Sequence, residues 1–254
     1  MSEQVHSARQ GRVVTVTFER PPLNIFDLDL SRELATALDG LGSPETQLVV
    51  LRGAGERAFS AGVSIENHAP ETVHEMLDRF HRLIRTVVEL EPLTLAVVDG
   101  HCLGGGLELA ASCDLLLATN RSSFGQPEVK LGCFPPVAAA AFPARLGYGR
   151  TLELLVSGRT LDAAEAEGLG LVTWSVDASA LDEEIERRIA EITARSAAVT
   201  RIIKLAVRSG ATAGFEEALA EAERLYRDEL FGTEDMREGV DAFLESRRPE
   251  WRHR

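Results

Sequence analysis

Leu93-Thr94-Leu95-Ala96-Val97-Val98-Asp99-Gly100-His101-Cys102-Leu103-Gly104-Gly105-Gly106-Leu107-Glu108-Leu109-Ala110-Ala111-Ser112 is the stretch that decides the fold. Its opening residues, 93–98, are an almost unbroken apolar run, the pattern of a strand covered on both faces. Glu91-Pro92 ahead of them stops a preceding helix. Glycine punctuates the run at Gly100 and again at Gly104-Gly105-Gly106, after which 107–112 reads as a helix. Strand, glycine-bearing loop and helix make one unit of a layered α/β protein.

The same order recurs on either side. Upstream, Leu48-Val49-Val50-Leu51 is a second buried strand that breaks at Gly53-Ala54-Gly55. A long loop through Phe59-Ser60-Ala61-Gly62-Val63 then leads to a helix over 73–88. Its residues Val73, Met76, Leu77, Phe80, Leu83, Ile84, Val87 and Val88 share one face. Nearer the start, Val14, Val16 and Phe18 alternate with threonines in a half-buried strand that Arg20-Pro21-Pro22 ends. Asp27 or Asp29 caps the next helix, which carries Leu30, Leu34, Leu38 and Leu41 at helical spacing. Downstream, 114–118 is a fourth strand. Beyond Trp174 strand signals fade, and helices are expected over 181–192, 199–208, 215–230 and 235–245. These spans predict a layered core over 1–195 and a helical region over 196–254 that serves packing or oligomerisation.

Composition narrows the function classes. The 254 residues are 44% apolar and 26% charged, ordinary for one large domain or a core with an appendage. A chain of this size hides roughly 70–75% of its unfolded surface without metal or disulfide staples. Lys and Arg number 27 against 40 Asp and Glu, a net charge of −13 that argues against nucleic acid or an anionic membrane as partner. Cys102, Cys113 and Cys133 lack Cys-x-x-Cys spacing, and the six histidines contain no His-x-x-x-His pair, so no metal site is expected. Residues 1–12 are polar, and the apolar run 137–144 is too short to span a bilayer, which predicts a cytoplasmic protein.

Chemistry concentrates at the glycines. Gly104-Gly105-Gly106 frees backbone N–H groups at a helix start, where the helix dipole favours negative charge. The dinucleotide fingerprint fails because Leu109 stands at its third glycine position, and no Lys-Ser/Thr pair completes a phosphate loop. Glu108 lies among Leu107, Leu109, Ala110 and Ala111, so burial should raise its pKa. Ala61-Gly62-Val63 is a second small-residue bend able to offer an N–H to the same developing oxyanion, each such donor being worth about 3 kcal/mol. Glu128, in Phe124-Gly125-Gln126-Pro127-Glu128, is a second carboxylate candidate, with Pro127 stiffening its approach and Val129, Leu131 and Phe134 following. No Gly-x-Ser-x-Gly elbow is present, and the three cysteines sit in apolar neighbourhoods typical of inert core thiols. His101 reads as a hydrogen-bonded structural histidine beside the glycine loop, and the basic cluster 247–254 as a solvated tail or subunit contact.

Together, Ala58-Phe59-Ser60-Ala61-Gly62-Val63, Gly104-Gly105-Gly106-Leu107-Glu108-Leu109-Ala110, Cys113-Asp114 and Phe124-Gly125-Gln126-Pro127-Glu128 resemble the enoyl-CoA hydratase/isomerase (crotonase) family over nearly the whole chain. The resemblance implies a crotonase-like spiral of ββα units with a helical C-terminal region that builds trimers or dimers of trimers. It implies an acyl-CoA thioester substrate, with coenzyme A part of that substrate and no separate cofactor. It places oxyanion-hole N–H groups at Val63 and Gly105, catalytic carboxylates at Glu108 and Glu128, and substrate contacts at Ala61, Ile65, Phe134 and Pro136. Keeping both glutamates favours water addition, with Glu108 as base toward water and Glu128 as proton donor to carbon.

Two departures from the family pattern bear on substrate. Ser64 stands where an acidic residue is usual, and Phe134-Pro135-Pro136-Val137-Ala138-Ala139 replaces a glycine-rich stretch. Pro136 and Val137 stiffen and fill that wall, which speaks against a simple straight-chain crotonyl group. With Asn67-His68-Ala69-Pro70, these residues are most similar to the cyclohexa-1,5-diene-1-carbonyl-CoA hydratase branch. An isomerase, a ring-opening hydrolase or a non-catalytic RNA-binding relative are the other functions such a scaffold carries, the last disfavoured by the net charge of −13.

Overall fold

The computed structural model describes residues 4–254. Among these residues ten strands form two sheets. In the larger, β1 (Val5–Gln10) pairs antiparallel with β2 (Val13–Phe18), and β3 (Leu48–Gly53), β5 (Leu93–Val98), β7 (Leu115–Thr119) and β10 (Trp174–Val176) follow β2 in parallel. The smaller sheet orders β4 (Ala58–Ser60), β6 (His101–Leu103), β8 (Ser123–Gly125) and β9 (Thr160–Asp162), the first three parallel and the last antiparallel. The helices are α1 (Leu28–Asp39), α2 (Val73–Glu89), α3 (Gly105–Ser112), α4 (Pro136–Leu146), α5 (Tyr148–Ser157), α6 (Ala163–Gly168), α7 (Leu181–Thr193), α8 (Ala197–Thr212), α9 (Phe215–Arg224) and α10 (Glu234–Leu244). Each turn of chain lays one strand in each sheet and then a helix: β3-β4-α2, β5-β6-α3, β7-β8-α4. This is the expected α/β spiral of ββα units.

The apolar runs are continuous because the larger sheet is covered on both faces. Successive side chains along a strand alternate sides. Val14, Val16, Phe18, Val49, Leu51, Ala96, Val98, Leu116 and Ala118 enter the main core beneath α1, α2 and α3. Val13, Leu48, Val50, Leu95, Val97 and Leu117 face the other way, where Leu181, Ile185, Ile189 and Ile192 of α7 cover them. Of the two candidate caps for α1, Asp27 fills the role, accepting from the Leu30 N–H at 2.8 Å.

Several elements depart from the sequence expectations. β1 lies in the polar opening segment because, at the sheet edge, only Val5 of its six residues is buried. The three-residue strands of the smaller sheet fall within stretches read as loops, since three residues are too few to reveal a period of two. The helix expected over 215–230 ends as α-helix at Arg224 and continues as a wider turn through Leu225–Glu229. The basic cluster near the C-terminus is largely exposed, as expected of a solvated tail or subunit contact, but it is tied to the helical region rather than loose. Arg247 pairs with Glu238 and Glu245, the Trp251 indole N–H donates to the Ala194 carbonyl at 2.9 Å, and Asp235 accepts from the backbone N–H groups of Arg252 and His253.

One buried cation fastens α8 to the sheet layer. Lys204 Nζ donates to the carbonyls of Leu90 and Pro92 at 2.7 and 2.8 Å and pairs with Asp114 at 2.8 Å. Asp114 also accepts from the Thr94 N–H and hydroxyl. Lys204→Met strips three acceptors of their shared donor. We expect it to lower unfolding free energy by about 2 kcal/mol in urea titrations, discounting a fully buried pair because Asp114 retains some solvent; an unchanged midpoint would contradict the anchoring role.

Candidate active site

The site begins with two backbone loops brought together by the spiral. After β4, the chain through 61–64 is pinned by four hydrogen bonds. Ala61 N donates to Leu23 O at 2.9 Å, Gly62 N to the Ser60 hydroxyl at 3.1 Å, and Ser64 N to Phe26 O at 2.8 Å; Gly62 O accepts from Phe26 N at 2.9 Å. Among the described residues, this leaves the Val63 N–H with no hydrogen-bond acceptor. After β6, Gly104 turns at φ +51°, a conformation that admits glycine readily, and Gly105 opens α3 with an N–H that no helical carbonyl can reach. A Cβ on Gly105 would sit 2.6 Å from Val63 Cγ2 and 3.0 Å from Phe80 Cζ, so the two loops meet with no room for a side chain.

Both glutamates join them. Glu108 is only 4% exposed, in the first turn of α3, and its Oε1 accepts from the Ala138 N–H at 2.9 Å. That donor belongs to the first turn of α4, where Pro136 contributes no N–H, so the carboxylate caps the helix through the residues after it. Burial pushes the Glu108 pKa up to about 7; the Ala138 hydrogen bond opposes the shift and the Glu128 charge adds to it. Glu128 lies in the 3₁₀ turn Pro127–Leu131, half-buried, and burial raises its pKa as well. A Cβ on Gly104 would lie 2.7 Å from Glu128 Oε1, which puts that carboxylate against the glycine turn.

These groups open on one cavity of about 380 Å³. Every site residue named from the sequence lines it: Ala61, Val63, Ile65, Gly105, Glu108, Glu128, Phe134 and Pro136. Ile65 and Phe134 are 66% and 67% exposed, so they stand at its mouth. Phe80 forms part of its inner wall, held by Phe26 at 5.9 Å between ring centroids. The apolar lining favours a hydrocarbon group, and the acidic pair with adjacent free N–H groups suits proton transfer beside a developing oxyanion.

Some placements were not anticipated. Cys102 and Cys113 are core thiols as expected, but Cys133 is half-exposed and lines the cavity. His101 lies outside the cavity lining, its Nδ1 2.7 Å from the Ser123 hydroxyl. Gln126 is fully buried, and its carboxamide nitrogen, turned to satisfy its hydrogen bonding, donates to both Glu128 oxygens at 3.1 and 3.2 Å. The only signal for it was its place two residues before Glu128; of the two lining histidines, His68 belongs to the Asn67-His68-Ala69-Pro70 stretch, while His81 carries no motif signal.

A family model described as enoyl-CoA hydratase/isomerase matches residues 8–254. The chain belongs to the enoyl-CoA hydratase/isomerase family. It is 36% identical over 253 residues to the cyclohexa-1,5-dienecarbonyl-CoA hydratase of Thauera aromatica, covering 97% of this chain and 95% of that one. It is 32% identical over 248 residues to the short-chain-enoyl-CoA hydratase of Clostridium acetobutylicum, covering 95% of each. The crystal structure of an enoyl-CoA hydratase from Bacillus anthracis superimposes with a TM-score of 0.93 at 29% identity, over 99% of this chain and 100% of that one. The family's fold thus extends through α8, α9 and α10 as well as the spiral.

Proposed function

We propose that the protein is an acyl-CoA hydratase that adds water across the double bond of an α,β-unsaturated thioester, with a cyclic dienoyl-CoA as its favoured substrate. The observation that carries this reading is the pair Glu108 and Glu128 lining the same cavity as Val63 and Gly105, whose N–H groups have no partner among the described residues. In the proposed mechanism those two N–H groups donate to the thioester oxygen and hold the negative charge that develops as the enolate forms. Glu108 takes a proton from water as its oxygen bonds to the β carbon, and Glu128 delivers a proton to the α carbon. Atoms balance: the thioester gains one water, and the pair returns to its starting state when one proton passes from Glu108 to Glu128. Burial raises both carboxyl pKa values, Glu108 to about 7, so each holds a proton more tightly than a free carboxylate does, which suits groups that exchange protons with substrate.

Coenzyme A enters as part of the substrate, past Ala61 and Ile65, and no separate cofactor takes part. The cyclic preference is supported by the Phe134-Pro135-Pro136 wall and by the likeness to the Thauera aromatica hydratase. The same reading assigns 196–254 to assembly as a trimer or dimer of trimers, supported by Phe215, Phe243 and Leu244, which are 75%, 83% and 74% exposed. It assigns a cytoplasmic site of action, in keeping with three free cysteines; among the described residues no helix is long and apolar enough to cross a membrane.

Incubation with crotonyl-CoA and with cyclohexa-1,5-diene-1-carbonyl-CoA, followed by mass spectrometry, tests the reading. We expect both products to gain one water, with the higher kcat/KM for the cyclic ester. A shifted double bond at unchanged mass would instead make the enzyme an isomerase, and folded protein inert toward both esters would refute the proposal.

A further inference from the structure

Five residues of α2 line the cavity: Val73, Met76, Leu77, Phe80 and His81. They recur at intervals of three and four, so they form one stripe along the helix. Four are apolar and the fifth is an imidazole. Among the described residues the half-buried His81 ring makes no hydrogen bond. Burial, reinforced by the Arg85 guanidinium one turn along and opposed by Asp78, lowers its pKa from the ordinary histidine value, so at neutral pH the ring is uncharged. It therefore offers one N–H donor and one lone pair. His68, the other imidazole in the lining, is exposed and has its Nδ1 3.0 Å from the Ser64 carbonyl.

An all-carbon acyl group packed against the His81 ring strips water from it and returns no hydrogen bond, an unfavourable exchange. An acyl group with an oxygen at that point restores the lost hydrogen bond. The thioester oxygen and reacting carbons already have Val63, Gly105 and the glutamates as partners, so the oxygen belongs to the remainder of the acyl group. We propose that His81 is a specificity-determining residue that selects acyl-CoA substrates carrying a hydroxyl or carbonyl oxygen beyond the reacting double bond. The cyclic preference then extends to rings bearing such a substituent.

The assignment rests on the hydratase reading, and the test separates the two. Hydration kinetics are measured with crotonyl-CoA, hex-2-enoyl-CoA and its chain-matched analogue 6-hydroxyhex-2-enoyl-CoA. For the unaltered enzyme kcat/KM is expected to favour the hydroxylated ester about tenfold over hexenoyl-CoA. His81→Leu is expected to bring that ratio to one or below, while His81→Gln, which keeps a donor and an acceptor, retains a several-fold preference. Because the ratio is internal to each variant, partial loss of folded protein cancels. Crotonyl-CoA hydration with a wild-type ratio at or below one, or a preference that survives in His81→Leu, overturns the role of His81 alone. Failure to hydrate any of the three esters strikes the hydratase reading itself.

Discussion

Glu108→Gln and Glu128→Gln each lower kcat for crotonyl-CoA hydration by about 10²–10⁴-fold, the range lost when a general acid or base is removed. Thioester binding is expected to change little, because glutamine keeps the shape of each side chain and the Val63 and Gly105 N–H groups are untouched. In the Glu108→Gln variant the carboxamide oxygen would still accept from the Ala138 N–H, which holds the native Glu108 carboxylate at 2.9 Å. Single-turnover rates and equilibrium binding of a saturated acyl-CoA separate the two effects. The double variant should fall little below the worse single variant, since acid and base act as a unit on one water. Turnover within a few-fold of wild type in both single variants would refute the assigned roles.

Glu108→Gln should also stabilise the protein, and only at the alkaline end. The folded-state pKa of Glu108 is about 7 against an ordinary 4.5, so the folded chain holds this proton more tightly than the unfolded chain does. The favourable contribution is complete below about pH 4.5 and is lost as pH rises through about 7. Ionising this carboxylate in its buried setting therefore costs about 3 kcal/mol at pH 8. Glutamine does not ionise and escapes the cost. Denaturant unfolding of both proteins should show a stability advantage of the variant at pH 8 that exceeds the one at pH 5 by about 2 kcal/mol or more. A difference independent of pH would mean that Glu108 titrates normally and that its burial does no chemical work. A gain in stability on removing a buried ionisable group is the expected trade if that group is kept for turnover rather than for the fold.

The long parallel strands were legible because burial on both faces writes itself as uninterrupted runs such as Leu93–Val98, and α2 because its stripe repeats every three or four residues. The smaller sheet was not legible from periodicity. β4, β6 and β8 are three residues each, and what makes them strands is pairing with segments about 20 to 40 residues away, a tertiary effect. At the site, glycine runs and Glu108 among small apolar residues marked one loop. The meeting of Val63 with Gly105 depends on how successive spiral turns stack, which no local pattern encodes. Gln126 is an ordinary polar residue until Glu128 is seen folded back onto it. His81 is hidden for the opposite reason: it continues an apolar stripe, and only the fold shows that this position faces the cavity rather than the core.

A crystal structure with a saturated, unreactive acyl-CoA bound bears most directly on the central claim. The thioester oxygen should lie within about 3.2 Å of both the Val63 and Gly105 nitrogens, with the α carbon facing Glu128 and the β carbon facing Glu108. A thioester seated elsewhere, or one whose oxygen meets neither N–H while a glutamate turns to solvent, would contradict it.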